Sequence, residues 1–572
     1  MPNLNPSRPG RRAFLKTLPA AAAAAVAGPG VASAGAPPAD TAVSKEALAC
    51  AETLTGVTFS EAEHEGMTEN IAANRDHYDA LRHVAVDYDV DPAFLFKPFA
   101  KTPPPAGRAT PGAPLHVDRP RVAARPADDD IAFLPVTALA ALIESRTISS
   151  AELTELYLAR LARFGGKLEC VVTLTADLAR AQAADADREI RAGRYKGPLH
   201  GIPYGIKDLF ATKDIRTTWG ANPYKDQIAR VDATAVTRMR EAGAVLVAKL
   251  TSGELAIGDV WFGGKTRNPW DVSRGSSGSS AGPASATAAG LVGVAIGTET
   301  GGSIISPAHT CGVVGLRPTY GRISRYGVMT LRWTMDKVGP LARGVEDCAI
   351  VLNALYGPDN RDRTVADVPF VWNRDRPLSG LRIGIVEAEF EGTETRAAGA
   401  DPARRAVLRR ALDSLRAAGA RLEPVRLPEL PSASVYAVLN AEAGAAFDDL
   451  VRAGRVGELT GKGPNDRANQ LRVSRFIPAV EYIRAQRVRA LLGEQMEDVM
   501  AACDVFLTPS TSNSVTAANL TGHPGVTVNA GFASGLPVGL MATGRLYDEG
   551  TLLAFARGFE SARGPIVERP RL

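Results

Sequence analysis

The sequence is poor in the residues that build metal and disulfide frameworks. Its seven histidines (His64, His77, His83, His116, His200, His309 and His523) are few for 572 residues, and no pair has metal-ligand spacing. The five cysteines (Cys50, Cys170, Cys311, Cys348 and Cys503) are scattered, odd in number and contain no C-x-x-C. A zinc or disulfide framework is excluded on that pattern, and each cysteine is expected to be a buried small hydrophobe. The formal net charge is only +4, too small for this length to favour nucleic acid or an anionic membrane as the main partner. The Ala-rich run TLPAAAAAAVA near the N-terminus is too short to span a bilayer, so no stable membrane anchor is expected. There is no repeat at a solenoid period.

What is present starts with that same run. RRAFLK (Arg11 to Lys16) precedes it and ASA (Ala32 to Ala34) follows. These are the charged, apolar and small-residue sections of an export signal, and the paired arginines resemble the twin-arginine type. Residues 1–34 are therefore expected to be a signal, and the mature chain to be periplasmic or secreted. Cargo of that type folds before export, which suits a protein whose cysteines form no disulfides.

Residues 35–129 read as a helical extension and a linker. SEAEHEGMTENIAANRDHYDALRHV opens with a cap, Ser60, and an acid three residues later, Glu63. KTPPPAGRATPGAP and DRPRVAARPADDD are proline-rich and aperiodic, so roughly residues 97–129 are expected to form an extended linker or surface wrap. The main domain, 130–572, begins near Ile131. At 45% hydrophobic and 22% charged, the chain has the composition of a soluble globular enzyme.

Helical and strand patterns alternate in this domain. DATAVTRMREAGAVLVAKL places Val236 and Met239 on one helical face, stops at Gly243 and continues as an apolar strand. DPARRAVLRRALDSLRAAGARLEPV repeats the plan, with Asp401 as cap, Pro402 in the first turn, a Leu408–Leu412–Leu415 stripe and Gly419 closing; the strand LRIGIV precedes it. Such helix–Gly–strand units predict an α/β fold with a mostly parallel sheet covered by helices.

Three stretches carry chemistry: GPLHGIPYGIKD (197–208), GSSGSSAGPAS (275–285) and GTETGGSIISPA (297–308). The last sets a serine beside glycines, which is either a tight turn or a nucleophile next to bare backbone N–H groups. In that order, and followed by CGVVGLRPTYGRISRYG and NLTGHPGVTVNAGFASGLPVGLMATGR, they resemble the amidase signature family from about residue 135 to the C-terminus. The resemblance implies the amidase-signature fold: a large mixed, mostly parallel twisted sheet with helices on both faces, here with a small N-terminal helical extension. It also implies a serine–serine–lysine triad. Lys207 is the lysine of GIKD, and Ser303, closing TGGS, is the nucleophile. The serine-rich loop offers Ser276, Ser277, Ser279 and Ser280. The family's bridging serine, held in a cis peptide, is the first of an S-S pair 24 residues before the nucleophile, which is Ser279. Ser280 is its hydrogen-bonding neighbour and is grouped, with Thr300, Gly301 and Gly302, among the substrate-binding residues.

The chemistry supports those residue types. A serine hydroxyl is a weak nucleophile until its proton is taken. Lysine takes it only when neutral, which at pH 7 holds for roughly one ordinary lysine in two thousand. Burial under the apolar flank GIPYGI would lower the pKa by desolvation, and a second serine relays the proton across a gap. Gly301 and Gly302 let the main chain curve and approach the substrate, so that N–H groups meet the developing oxyanion.

Two departures from the family stand out. Glu299 occupies the position of the usual Asp in GTDTGGS. Ile305 stands where an arginine is common, which leaves open the partner of Glu299 and disfavours small acidic amides. Among other readings, GSSAG (278–282) matches a nucleophile elbow with Ser280 as nucleophile and His523 as base, an esterase-type arrangement, but the elbow needs a preceding strand and NPWDVSRGSS is turn-rich. The amidase component of a tRNA-dependent amidotransferase would need partners from which an export signal separates this chain. His309 and Cys311 are expected to pack or cap, Asp208 to organise its loop, and the helical region of about 430–500 to line or lid the pocket. The expectation is a hydrolase of a small-molecule carboxylic amide, working through a Ser303 acyl-enzyme without metal or cofactor, as a monomer or homodimer that binds no nucleic acid.

Overall fold

The computed structural model describes residues 43–85, 109–121, 124–391 and 401–572. The expected signal, residues 1–34, and the linker before Ala109 lie outside the described residues. Ser44 caps α1 (Lys45–Thr55), its hydroxyl accepting the Ala47 N–H at 3.2 Å. Ser60 caps α2 (Glu61–Arg82), and Glu63 reaches back to accept the Ser60 N–H at 2.8 Å, the box expected from the sequence. Tyr78 and Leu81 of α2 are buried against Val435, Val438 and Val488, and Arg472 pairs with Glu63 at 2.5 Å. The boundary expected near residue 130 therefore separates no bodies, since Val43–Leu572 is one compact unit. Residues 109–121 run extended over its surface, tied by the Ala109 N–H to Asp367 at 2.9 Å and the Asp118 N–H to Glu346 at 2.7 Å.

The centre is an eleven-stranded sheet. In chain order its strands are β1 (Val171–Leu174), β2 (Pro203–Lys207), β3 (Val245–Leu250), β4 (Val294–Glu299), β5 (Val314–Arg317), β6 (Lys337–Ala342), β7 (Ile383–Ile385), β8 (Leu422–Pro424), β9 (Val505–Pro509), β10 (Gly525–Ala533) and β11 (Leu536–Gly544). Their spatial order is β1-β3-β2-β4-β6-β5-β10-β11-β9-β7-β8. Helices cover both faces. Val245, Val247 and Ala295 pack against Leu158 and Leu161 of α3 (Ser150–Leu168) and Ala179 and Ala183 of α4 (Ala176–Arg191). The alternate residues Leu246, Val294 and Ile296 face the other way. Their cluster includes Val236 and Met239 of α5 (Thr234–Glu241), Val351 of α6 (Val345–Leu355) and the Leu408–Leu412–Leu415 stripe of α7 (Pro402–Ala417). This alternation is the period-two signature of a sheet buried on both sides.

The sheet is mixed as expected, but it is not mostly parallel. Parallel pairs occur only toward the flanks, where β2 joins β3 and β4, and β7 joins β8 and β9. The remaining six pairings are antiparallel. The reason lies in the connections. Both helix–Gly–strand units that were legible in the sequence, through α5 and α7, are crossovers and so yield parallel neighbours. The central pairing of β10 with β11 is a hairpin through Ser534 and Gly535, both at positive φ, and a hairpin can only be antiparallel.

The parallel neighbours β2 and β4, with Ile206 opposite Ile296, end side by side. Lys207 is the last residue of β2 and Glu299 the last of β4. The loops leaving the carboxyl ends of such strands are where α/β sheets place their sites.

Candidate active site

Lys207 is fully buried, and its Nζ lies 2.8 Å from Ser279 Oγ and 2.8 Å from Thr298 Oγ1. Burial pushes its pKa well below the ordinary lysine value, against the weaker opposing pull of Asp336 and Glu299. A second buried lysine gives the contrast. Lys249 is equally inaccessible, but it forms an ion pair with Asp208 at 3.0 Å and donates to Phe210 O and Thr217 Oγ1 at 2.9 and 2.8 Å. A carboxylate in contact favours the charged amine, whereas two hydroxyls accommodate a neutral one. Asp208 also accepts from the Thr218 N–H at 2.8 Å, so it organises its loop.

Ser279 is 1% exposed, and the Gly278–Ser279 peptide is cis. The following residue docks this loop on the glycine turn, the Ser280 N–H donating to Ser303 O at 3.0 Å. Ser280 is not a substrate-binding residue. Its hydroxyl is fully buried, donating to Thr298 O at 3.0 Å and accepting the Thr298 N–H at 3.2 Å, and it heads the helix Ala281–Ala288. Its two bonds to β4 hold the loop instead. The same bonds remove Ser280 as an elbow nucleophile. Its proposed base, His523, is 2% exposed and bonds Thr521 Oγ1 at 2.8 Å; burial, then the charge of Arg317, pushes it down to about 4.

Ser303 borders a cavity of about 360 Å³ together with Thr300, Gly301 and Gly302. Its hydroxyl makes no hydrogen bond among the described residues, and neither do the N–H groups of Gly301, Gly302 and Ser303. This leaves three N–H donors beside one hydroxyl. Gly302 has φ +132°, a conformation other residues rarely adopt, and a Cβ on Gly301 would lie 2.5 Å from the Tyr436 ring. The glycines are thus required by backbone shape at one position and by close approach at the other.

Glu299, whose partner the sequence left open, is fully buried and fully used. Its carboxylate pairs with Arg317 at 2.9 Å, accepts from Asn519 Nδ2 at 2.7 Å, and caps the helix Ile305–Cys311 through the Ile304 and Ile305 N–H groups at 2.7 and 2.9 Å. Burial alone would raise its pKa, but Arg317 and these donors hold it below the usual carboxylate value. Ile305 packs against Val515 and Met541. Asp336 accepts from Thr300 Oγ1 at 2.6 Å and from the Leu331 and Arg332 N–H groups at 2.7 and 2.9 Å, fixing the first residue of the glycine turn.

His309 and Cys311 pack as expected. His309 accepts the Gly539 N–H at 2.8 Å, burial pushes it down to about 3, and Cys311 is fully buried. All five cysteines are free, but Cys50 is exposed on α1 rather than buried; Leu48 and Glu52 are the buried positions among the described side chains of that helix. The region from 430 lines the cavity as expected, through Tyr436 of α8 (Ser432–Val438), Asn440 of α9 (Asn440–Ala446) and Arg467 and Gln470 of α10 (Arg467–Ser474). The sequence did not foresee that α2 supplies another wall, with Asn70, Asn74 and His77. No motif marks those residues. Among the described residues, no group of three His, Cys, Asp or Glu could hold a metal ion, and no helix is long and apolar enough to cross a membrane.

A family model described as Amidase matches residues 152–516. The chain is 37% identical over 462 residues to the A-type subunit of the glutamyl-tRNA(Gln) amidotransferase from Roseiflexus sp. (strain RS-1), spanning 72% of this chain and 93% of that one. It is similar in structure to the native peptide amidase from Stenotrophomonas maltophilia, with TM-score 0.67 and 32% identity over 76% of this chain and 98% of that one. A protein from a vestigial complex linked to the origins of an s-triazine catabolic enzyme aligns with TM-score 0.69 and 28% identity over 77% of this chain and 100% of that one.

Proposed function

The chain belongs to the amidase family, and on that premise we propose that it hydrolyses a small-molecule carboxylic amide through an acyl-enzyme on Ser303. The observation that carries the residue roles is the buried Lys207, which touches two hydroxyls and, among the described residues, no carboxylate. Neutral Lys207 accepts the Ser279 proton while donating to Thr298, and Ser279 in turn accepts the proton of Ser303. The Ser303 oxygen attacks the carbonyl carbon, and the N–H groups of Gly301, Gly302 and Ser303 receive the oxyanion. The relay then returns the proton to the leaving amine. Water then gives a proton to the same relay as its oxygen attacks the ester carbonyl, and the relay returns that proton to Ser303 Oγ as the C–O bond breaks and the acid leaves. The Ser303 hydroxyl, unpaired at rest, joins the chain when substrate is bound, as catalytic hydrogen bonds commonly tighten on binding. Covalent labelling by a fluorophosphonate tests this. Labelling is expected on Ser303 and absent in Ser303→Ala; labelling that survives that substitution moves the nucleophile elsewhere.

The identity to amidotransferase subunits supports a second reading, an amidase half that works only in a complex. It predicts no turnover by the isolated chain, so ammonia or amine release by purified protein decides between the two. We extend the proposal to location. The paired arginines, apolar run and Ala-Ser-Ala of residues 1–34 support export by a twin-arginine route. Residues 1–34 fused to a reporter should carry it across the membrane, and Arg11→Lys/Arg12→Lys should retain it inside.

A further inference from the structure

Two arginines border the cavity beside Ser303, Arg332 and Arg467, and each is only 4% exposed. Neither has a carboxylate within ion-pair distance among the described residues. Arg317 and Arg322, equally buried, face Glu299 at 2.9 Å and Glu549 at 3.1 Å. Arg332 donates to Tyr436 O at 2.9 Å and Asn440 Oδ1 at 3.0 Å, with its guanidinium 4.0 Å over the Tyr436 ring. Arg467 donates to Gln470 Oε1 at 2.8 Å and Ala256 O at 3.3 Å. The Nε atoms of both are buried without a partner among the described residues. No Asp or Glu among the described residues lines this cavity. The acids whose charge acts on Arg467 are occupied, Asp336 with Thr300 and two backbone N–H groups, and Glu254 with the Thr460 and Gly461 N–H groups.

Two buried guanidinium ions bordering one cavity repel each other, and among the described residues neither has a carboxylate in contact; Asp336 and Glu254 offset the charge of Arg467 only from a distance. Arg467 is pushed down to about 10, first by burial and then by the charge of Arg332. A buried charge without a counter-ion is costly, and guanidinium is the side chain suited to a planar carboxylate.

We propose that the cavity beside Ser303 binds amides carrying a carboxylate, which Arg332 and Arg467 hold while Ser303 attacks the amide carbonyl. This rests on the amidase reading and names its substrate class. It also replaces the expectation drawn from Ile305: the arginine missing after the nucleophile is supplied from other parts of the chain.

The test measures how small amides protect the purified full chain from fluorophosphonate labelling, alongside ammonia release. Succinamate and glutaramate are compared with their methyl esters, which keep the amide and lose the charge. The acids are expected to protect and react better by roughly ten- to hundredfold, the scale of hydrogen bonds to charged groups. In Arg467→Gln and Arg332→Gln that ratio should collapse through KM, and Arg467→Lys should restore part of it. Labelling of Ser303 with equal or better protection by the esters overturns the carboxylate site and leaves the amidase reading standing. Preference for the acids that persists in both folded Gln variants also overturns it. Absence of any labelling on Ser303 overturns the amidase reading itself. If a Gln variant does not fold, the wild-type comparison of acid against ester still decides.

Discussion

Thr298 makes one of the two hydrogen bonds to Lys207, so Thr298→Val isolates the electrostatics of the base. Valine keeps the β-branch that suits β4 and loses only the acceptor. During acylation Lys207 becomes an ammonium ion inside a fully buried site, and hydroxyls are what receive its N–H groups there. A hydrogen bond to a charged group is worth about 1.5–3 kcal/mol, which is a fall of roughly 10- to 150-fold in kcat/KM. The sign of the pH effect is also set. Thr298 stabilises the charged amine more than the neutral one, so removing it lowers the Lys207 pKa further. Because the neutral amine is the active form, the acid limb of the kcat/KM profile should move to lower pH while the plateau falls. Thr298→Ser keeps the acceptor and should lie within a few-fold of wild type. The assay is a pH–rate profile of ammonia release for the three proteins. An unchanged plateau, or an acid limb displaced to higher pH, would refute Lys207 as the base.

Three other substitutions follow from the same geometry. Because Lys207 stays neutral below the pH at which an unfolded lysine binds its proton, its burial opposes folding at neutral pH and ceases to do so as pH rises into the ordinary lysine range. The stability of Lys207→Met relative to wild type should therefore be larger at neutral pH than at alkaline pH, shrinking as pH rises into the ordinary lysine range, as read by denaturant titration; a pH-independent difference would mean a charged lysine. Arg317→Met strands Glu299, both fully buried, and should cost about 3–5 kcal/mol in the same titration, with activity lost as the cap on the nucleophile helix loosens. Gly301→Ala drives a methyl into the Tyr436 ring and should lower kcat by at least tenfold while leaving the melting temperature within a few degrees; an active Gly301→Ala enzyme would mean the turn is not held against α8.

The sequence by itself determined what local rules decide. The caps at Ser60 and Asp401, the α7 stripe and the crossovers through α5 and α7 appear where propensity and period place them, because each depends on neighbours a few residues away. The motifs likewise singled out Lys207, Ser279 and Ser303 as the candidate reacting set, since each sits in a short stretch whose residue types have few other uses. Tertiary structure decided the rest. Sheet direction depends on which strands become neighbours, so the mostly parallel expectation failed at β6, β5, β10 and β11 and at the edge strand β1, and held only where β2 joins β3 and β4 and where β7 joins β8 and β9. Ser280 carries the same hydroxyl as Ser279 one position earlier, and only its docking on Thr298 takes it out of the site. Arg317 for Glu299, Asp336 for Thr300, and Arg332 and Arg467 bordering one cavity with an α2 wall that offers it no carboxylate come from segments far apart in the chain. Charges buried in one cavity feel one another at a few ångströms however many residues separate them, and no local pattern records that distance.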